Sequence, residues 1–173
     1  YISVLDENGD MFVALYDMSV LQIMTVDFIH SKSSIIKGSR LITCDPALHP
    51  DVMEEILNLY SDTIPVFVDP VSCAYAETIV DFIGKFHTAK PNILETEILS
   101  GMKIKSKKDL YKAAEKILDK GLKRIFISLG ADGSLYMDRE GKHIERKLAP
   151  VEHMVNATGA GDAFMAAVIY SYI

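Results

Sequence analysis

The feature that most constrains the fold of this chain is the alternation of short apolar runs with longer segments whose apolar residues recur at helical spacing. This pattern indicates strands that alternate with amphipathic helices. Parallel pairing is expected, because a strand connected through a helix returns to its sheet in the same direction. The predicted strands lie at 41–44, 65–69, just before Pro91 and at 124–128, and the predicted helices lie near 51–60, 76–83, 94–100 and 107–120.

Hairpins and further helices extend this core towards both ends. Residues 1–16 turn at Glu7-Asn8-Gly9-Asp10, where Asn-Gly suits the positive φ angles of a tight hairpin. Residues 134–147 form a second predicted hairpin that turns at Glu140-Gly141, and a last helix runs from about Gly161 to the end. A helix that begins at Ser19 has a predicted buried face consisting of Val20, Ile23, Met24, Phe28 and Ile29.

Composition and charge argue against several classes of function. The chain has 173 residues, of which 49% are hydrophobic and 24% are charged, as in an ordinary globular domain. Its formal net charge is −6 and its lysines are scattered, which argues against binding to a nucleic-acid backbone. No apolar run approaches the roughly 18 residues that span a bilayer, and no secretory leader begins the chain. These features predict a soluble, cytoplasmic protein without nucleic-acid or membrane partners.

The cysteines and the chain ends give two smaller predictions. Cys44 and Cys73 lack the spacing of a zinc or disulfide motif, so both are predicted to be buried thiols. Tyr1 begins inside an apparent strand without an initiator methionine, and Ile173 ends inside an apolar helix. We therefore expect a fragment that is incomplete at both ends.

Polar and glycine residues follow the ends of the predicted strands, where doubly wound sheets bind their ligands. We expect one rim of the sheet to carry Asp45, Asp69, Asn92, Gly130 and residues 156–162. The last of these segments, Asn156-Ala157-Thr158-Gly159-Ala160-Gly161-Asp162, leads directly into an apolar helix.

The chemistry of this glycine-rich segment suits phosphoryl transfer. Small residues let a ligand approach the backbone, and the free N–H groups of a first helical turn form an anion site that the helix dipole strengthens. A carboxylate at this position is stabilised in its ionised form and can accept the proton of an attacking alcohol. The alternative is a glycine-rich turn in which Asp162 only favours the helix start.

Two motifs carry a resemblance to a known family. Thr158-Gly159-Ala160-Gly161-Asp162 resembles the C-terminal signature of the ribokinase-like (PfkB) carbohydrate kinases, usually written D-T-x-G-A-G-D, and Lys90–Glu97 resembles their N-x-x-E motif. The resemblance covers nearly all of this chain but only part of a family member. It implies a three-layer α/β/α fold with a mostly parallel sheet and a small β lid. Residues 1–17 would be the lid hairpin, and residues 18–173 would be the α/β nucleotide-binding core.

The resemblance implies an ATP-dependent kinase that uses Mg²⁺ and phosphorylates a sugar or nucleoside hydroxyl. Asp162 is expected to be the catalytic base, the backbone of Gly159, Ala160 and Gly161 the anion hole, and Thr158 a nucleotide contact. Asn92 and Glu95 are expected to organise Mg²⁺ and its waters near the phosphates, and Asn92 also to contact the nucleotide. The same two residues suit a helix cap and a first helical turn, and both roles are compatible.

The loop Ser128-Leu129-Gly130-Ala131-Asp132-Gly133 resembles the family's nucleotide loop. The resemblance places Ser128, Gly130 and Gly133 beside ATP, whereas a purely structural turn is the alternative. Asn156 departs from the first aspartate of the family signature. That position lies near a monovalent-cation site in many relatives, so the need for a monovalent cation stays open.

The acceptor is expected from further similarities within the family. The hairpin, Asp17-Met18, Thr25, Asp69-Pro70-Val71-Ser72 and Asn156 resemble the pseudouridine kinase subgroup, which implies conversion of pseudouridine to its 5′-phosphate. Ribose, fructose and adenosine are alternative acceptors, and a non-catalytic sugar- or nucleotide-sensing module is an alternative of another class. A Rossmann dehydrogenase is disfavoured because its glycine fingerprint follows the first strand. A homodimer through the lid hairpin is also expected from the resemblance.

Overall fold

A computed structural model describes residues 2–6, 11–149 and 158–173. The strands are β1 (Ile2–Leu5), β2 (Met11–Leu15), β3 (Ile42–Cys44), β4 (Val66–Val68), β5 (Thr88–Ala89), β6 (Arg124–Ser128), β7 (Ser134–Asp138) and β8 (His143–Arg146). The α-helices are α1 (Val26–Ser31), α2 (Ser33–Lys37), α3 (Pro50–Tyr60), α4 (Cys73–Thr78), α5 (Ile93–Ser100), α6 (Lys107–Asp119) and α7 (Ala160–Tyr172). Short 3₁₀ turns occupy Ser19–Ile23, Ile83–Lys85 and Gly130–Asp132.

The main sheet has six strands in the order β3-β4-β5-β6-β7-β8. β3 to β6 pair in parallel because helical connections return the chain to the same edge of the sheet. β7 and β8 pair antiparallel, which confirms the predicted hairpin at 134–147. The α/β class with a mostly parallel sheet is therefore confirmed.

Helices cover both faces of this sheet. The larger core lies on one face, where α3, α5 and α6 pack against alternate side chains of β4 and β6. The other face carries a smaller cluster in which Met165 and Val168 of α7 pack on Phe67, with the partly buried Phe126 beside them. Period-two alternation along the strands thus supplies apolar side chains to both layers.

The segment after Ser19 differs from the single helix that the sequence predicts. It begins with a 3₁₀ turn and then forms α1 and α2. Thr25 starts α1 as its N-cap, since its Oγ1 accepts the Phe28 N–H at 3.2 Å, and this cap interrupts the helical run. Of the predicted buried face, Ile29 is buried, whereas Val20 and Ile23 are 65% and 72% exposed.

The helix predicted near 76–83 is also displaced. Ser72 caps α4 by accepting the Tyr75 N–H at 3.3 Å, so the helix begins at Cys73 and ends at Thr78. Cys73 is consequently exposed, and the prediction that it is a buried thiol is wrong, while Cys44 is buried at the end of β3. Within the described residues, no helix is both long and apolar enough to cross a membrane.

The predicted N-terminal hairpin forms a separate two-stranded sheet. β1 and β2 pair antiparallel, with Ile2 opposite Leu15 and Val4 opposite Val13. The turn predicted at Glu7-Asn8-Gly9-Asp10 lies outside the described residues.

Candidate active site

The rim at the carboxyl ends of the parallel strands brings several predicted residues together. Asp69 follows β4, Lys90 follows β5, and Ser128 ends β6. Asn92 forms a β-bridge with Ser128, and the Ser128 N–H donates to the Pro91 carbonyl at 3.0 Å. The N-x-x-E segment and the predicted nucleotide loop are therefore adjacent, as expected from the strand order.

Asp45 also follows its strand, β3, but its carboxylate accepts a hydrogen bond within the turn that it begins. Asp45 Oδ1 accepts the Ala47 N–H at 2.8 Å. The structure shows a turn-forming role for this predicted rim residue.

The start of α7 has the geometry of an anion site. Gly159 precedes the helix in the left-handed region at φ 82°, and its carbonyl accepts the Ala163 N–H at 2.9 Å. The N–H groups of Ala160, Gly161 and Asp162 therefore belong to a first turn that has no preceding helical acceptors. Asp162 is exposed in this turn, as its third residue.

Lys90 is a buried cation beside this helix start. Its side chain is 5% exposed, and its Nζ lies 2.8 Å from Asp69 Oδ2. A Cβ added at Gly161 would lie 3.5 Å from Lys90 Nζ, which is van der Waals contact and places the ammonium against the first turn of α7. The same Nζ lies 6.0 Å from the centre of the Phe164 ring. Lys90 thus links the rim to α7.

Asn92 and Glu95 form a capping box at the start of α5. Burial raises the pKa of Glu95 above its ordinary value, while the Asn92 N–H lowers it; the Asp69 carboxylate adds to the rise and Lys90 opposes it. Asp69 and Lys90 therefore lie within electrostatic reach of Glu95. The helix-start role is present, and it is compatible with the expected magnesium role because a carboxylate has two oxygens.

The two glycines of the predicted nucleotide loop have different surroundings. Gly130 has φ 61°, and a Cβ added there would meet no atom within 4 Å, so its backbone is open to a ligand. Gly133 has φ 100°, and a Cβ there would lie 1.9 Å from the Arg146 carbonyl oxygen. The close approach of β8 is therefore sufficient to explain Gly133. Ser128 is half-buried at the end of β6.

Two other predicted positions lie at or beyond the boundary of the described chain. Thr158 lies in the turn before α7 and is exposed. Asn156, on which the question of a monovalent cation depends, lies outside the described residues.

The donor set can be compared with the needs of Mg²⁺. No group of three or more His, Cys, Asp or Glu side chains in the described parts of the chain could hold a metal ion. Mg²⁺ commonly uses one or two carboxylates, several waters and substrate phosphates. Glu95 lies within electrostatic reach of Asp69 and Lys90 at the rim and fits that mode of binding, with Asn92 next to it.

Comparisons with known proteins give the family of this chain. The family model of the pfkB family carbohydrate kinases matches residues 1–173. This chain belongs to the pfkB family. The pseudouridine kinase of Escherichia coli K12 is 34% identical over 174 residues, which cover 100% of the pfkB chain and 55% of that protein. The pfkB chain therefore spans about half the length of the curated relatives that it matches.

Solved structures agree on the fold. A Clostridium perfringens protein assigned as a sugar kinase superposes with a TM-score of 0.84 at 40% identity, covering 98% of the pfkB chain and 53% of that protein. Arabidopsis thaliana ribokinase, solved with ribose and ATP, gives a TM-score of 0.69 at 22% identity, covering 79% and 44% of the two chains. The pfkB chain therefore has the ribokinase-like fold.

Sequence reasoning assigned no role to Lys90 or to Val71 of the Asp69–Ser72 turn. A signal for Lys90 was present, because a charged residue directly after a short buried strand must lie at the ligand rim or find a counter-ion. Val71 has φ 64° and is the non-glycine residue with positive φ among those that the structure describes. A β-branched residue gives no sequence signal for that conformation.

Proposed function

We propose that this chain supplies the phosphoryl-transfer machinery of an ATP-dependent kinase that phosphorylates a hydroxyl group of a sugar or nucleoside. The observation that carries the proposal is the start of α7, where an exposed Asp162 in the first turn follows Gly159 in its left-handed conformation. An anion site next to an exposed carboxylate is the arrangement that transfer from ATP to an alcohol requires.

The transfer uses the residues of this helix start. The acceptor oxygen attacks the γ-phosphorus of ATP, Asp162 takes the hydroxyl proton, and the bond to the β-phosphate oxygen breaks to release ADP. The N–H groups of Ala160 and Gly161 stabilise the negative charge on the transferring group. This role of the carboxylate also argues against a sensing module, which needs no base.

ATP and Mg²⁺ are assigned to the adjacent loops. Gly130 leaves its backbone open to the nucleotide, with Ser128 beside it. When bound, Mg²⁺ neutralises charge on the phosphates. Glu95 and Asn92 are the residues that would hold Mg²⁺ on this side of the site.

Pseudouridine is the acceptor that the comparisons favour. The pseudouridine kinase of Escherichia coli matches this chain over its whole length at 34% identity. A 1-phosphofructokinase of the same bacterium is 36% identical over only 84 residues. The product is then pseudouridine 5′-phosphate.

A substrate panel tests the proposal. The complete protein, given ATP and Mg²⁺, should show a higher kcat/KM for pseudouridine than for uridine, ribose, fructose or adenosine. Uridine is the sharpest comparator because it differs in the glycosidic linkage and in the ring N–H that is free for recognition. A preference for another acceptor would remove pseudouridine and keep the kinase, whereas no transfer to any alcohol would favour the sensing module.

The hairpin of β1 and β2 is assigned to a lid that also forms a dimer contact. Ile2, Val4, Val13 and Leu15 lie on one face, and they are 65%, 47%, 42% and 64% exposed. A two-stranded hairpin is marginal alone and needs a surface on which to pack. Val13→Lys should therefore convert a dimer into a monomer in light scattering, and an unchanged mass would contradict the dimer contact.

A further inference from the structure

The ion pair of Lys90 and Asp69 is the most buried pair of opposite charges among those that the structure describes. The side chains are 5% and 18% exposed, and Nζ and Oδ2 are 2.8 Å apart. The Lys90 backbone is fixed as well, since its N–H donates to the Val68 carbonyl at 3.1 Å. Burial of a lysine is unfavourable without a counter-ion, and Asp69 supplies it.

The position of this ammonium does not favour the stability of the fold. It lies 3.5 Å from the place of a Cβ at Gly161, in the first turn of α7. The N-terminus of a helix carries the positive end of its dipole, which repels a cation and attracts an anion. Asp69 offsets part of this cost. A phosphoryl group bound at the same turn would be attracted both by the Lys90 ammonium and by the helix N-terminus, and would offset the repulsion between them.

The turn that holds Asp69 is strained in a way that packing does not explain. Val71 has φ 64°, although the residue is 53% exposed and gains little from burial. In this conformation the Val71 N–H donates to Asp69 Oδ1 at 3.2 Å. Both carboxylate oxygens of Asp69 are therefore engaged, one by Val71 and one by Lys90. Strain that is maintained in this way indicates a functional constraint on the position of Asp69.

We infer that Lys90 is a catalytic residue that contacts the transferring phosphoryl group, and that Asp69 is a positioning residue for its ammonium. This inference rests on the proposed function. As the phosphoryl group passes from the β-phosphate oxygen to the acceptor oxygen, Lys90 stabilises the charge on the phosphoryl oxygens through its N–H donors, while Asp162 takes the hydroxyl proton.

Charge removal in the complete protein separates this role from a structural one. Lys90→Met should lower kcat by about 100-fold or more, with the acceptor KM changed by less than about threefold. Lys90→Met also leaves Asp69 unpaired and lowers the urea midpoint. The double variant Asp69→Asn with Lys90→Met removes both charges, so its urea midpoint should return towards that of the wild type while kcat stays low. Recovery of half the wild-type kcat in the double variant would show that the pair is only structural.

Lys103→Met is the matched control. Lys103 also pairs with a carboxylate, that of Glu97 at 2.9 Å, but its side chain is 79% exposed, and it follows the C-terminal end of α5 whereas Asn92 caps the other end. Its removal should leave kcat unchanged. A loss equal to that of Lys90→Met would contradict a specific role for Lys90.

Nucleotide binding distinguishes failure of this inference from failure of the proposed function. Lys90→Met should weaken binding of the non-hydrolysable ATP analogue AMP-PNP by about tenfold or more, and that of ADP by less than about threefold, in calorimetric titrations. Equal losses for both nucleotides would overturn the inference even if the kinase is active. A wild type that binds AMP-PNP but phosphorylates no acceptor would overturn the proposed function, and the binding ratio would still decide the role of Lys90.

Discussion

Asn92 and Glu95 bond each other in both directions, because the Asn92 N–H donates to Glu95 Oε2 at 2.8 Å and the Glu95 N–H donates to Asn92 Oδ1 at 2.9 Å. This reciprocal contact begins α5 and fixes the carboxylate of Glu95, a residue that is 3% exposed. A buried carboxylate with a raised pKa lowers the stability of the fold when it is ionised. A bound cation that needs the negative charge of Glu95 would offset this cost.

Glu95→Gln should raise the Mg²⁺ concentration needed for half-maximal activity without lowering stability. Glutamine can accept the same N–H bond. Because the folded pKa of Glu95 is raised above 4.5, the ionised carboxylate disfavours folding above that pH, and its removal should keep or raise the urea midpoint at pH 7. The measurements are a Mg²⁺ titration of activity and a urea titration.

Glu97→Gln provides the control on the same helix. Both carboxylate oxygens of Glu97 bond residues that follow α5, one the Ile104 N–H at 2.7 Å and one Lys103 at 2.9 Å, so its change should not alter the Mg²⁺ requirement. Superimposable Mg²⁺ titrations for Glu95→Gln and the wild type would leave Glu95 as a helix-start residue only.

A pH-dependent loss of stability is expected from His87. Its ring stacks on Phe67 with 5.5 Å between centroids, and burial, with Arg124 and Lys123 nearby, lowers its pKa from 6.5 to about 4. The unfolded chain therefore binds a proton between these pH values and the folded chain does not, so stability falls as pH drops through this window. Urea midpoints at several pH values should show a smaller drop for His87→Phe, and an unchanged drop would contradict this assignment.

Tyr60, in the larger core on the opposite face of the sheet from Phe67, offers a second stability test. It is 2% exposed, and its hydroxyl has no hydrogen-bond partner in the part of the chain that the structure describes. Tyr60→Phe should be neutral or should stabilise by up to about 1–3 kcal/mol, because it removes a buried unsatisfied group.

Tyr136→Phe is the matched control for that substitution. The Tyr136 hydroxyl donates to Asp138 Oδ2 at 2.7 Å, so its loss should cost about 0.5–1.5 kcal/mol in urea unfolding. If Tyr60→Phe destabilises as much as Tyr136→Phe, the Tyr60 hydroxyl has an acceptor and the prediction is wrong.

Local periodicity was sufficient to predict most of the core. In α6, Leu110, Ala113 and Ile117 recur at helical spacing and are all buried, with Ser106 as the cap. The same reasoning failed after Ser19, because the exposed Val20 and Ile23 have no core beneath them in the described residues and Thr25 starts a new helix. Apolar spacing predicts a helix only where a surface is present to cover it.

The motifs predicted the elements of the candidate site, but not its electrostatics. The pairing of Lys90 with Asp69 depends on the register of β4 and β5, which no local pattern contains. The positive φ of Val71 opposes the preference of a β-branched residue, and it occurs in a turn where the Val71 N–H donates to Asp69 Oδ1 and the Ser72 N–H donates to the Pro70 carbonyl. The ion pair is a property of the assembled rim, and the residue type at position 71 gives no signal for this turn.

The most direct test of the account is the turnover of Asp162→Asn in the complete protein, compared with Asp109→Asn. Each aspartate is the third residue of a 13-residue helix, so both variants lose the same favourable interaction with a helix dipole. Asp162→Asn should lower kcat by about 10²–10⁴-fold with little change in ATP affinity, because the proton acceptor is lost while the backbone N–H groups of the helix start remain. Asp109→Asn should alter stability and leave kcat intact. Retention of more than about a tenth of wild-type kcat by Asp162→Asn would contradict its role as the base.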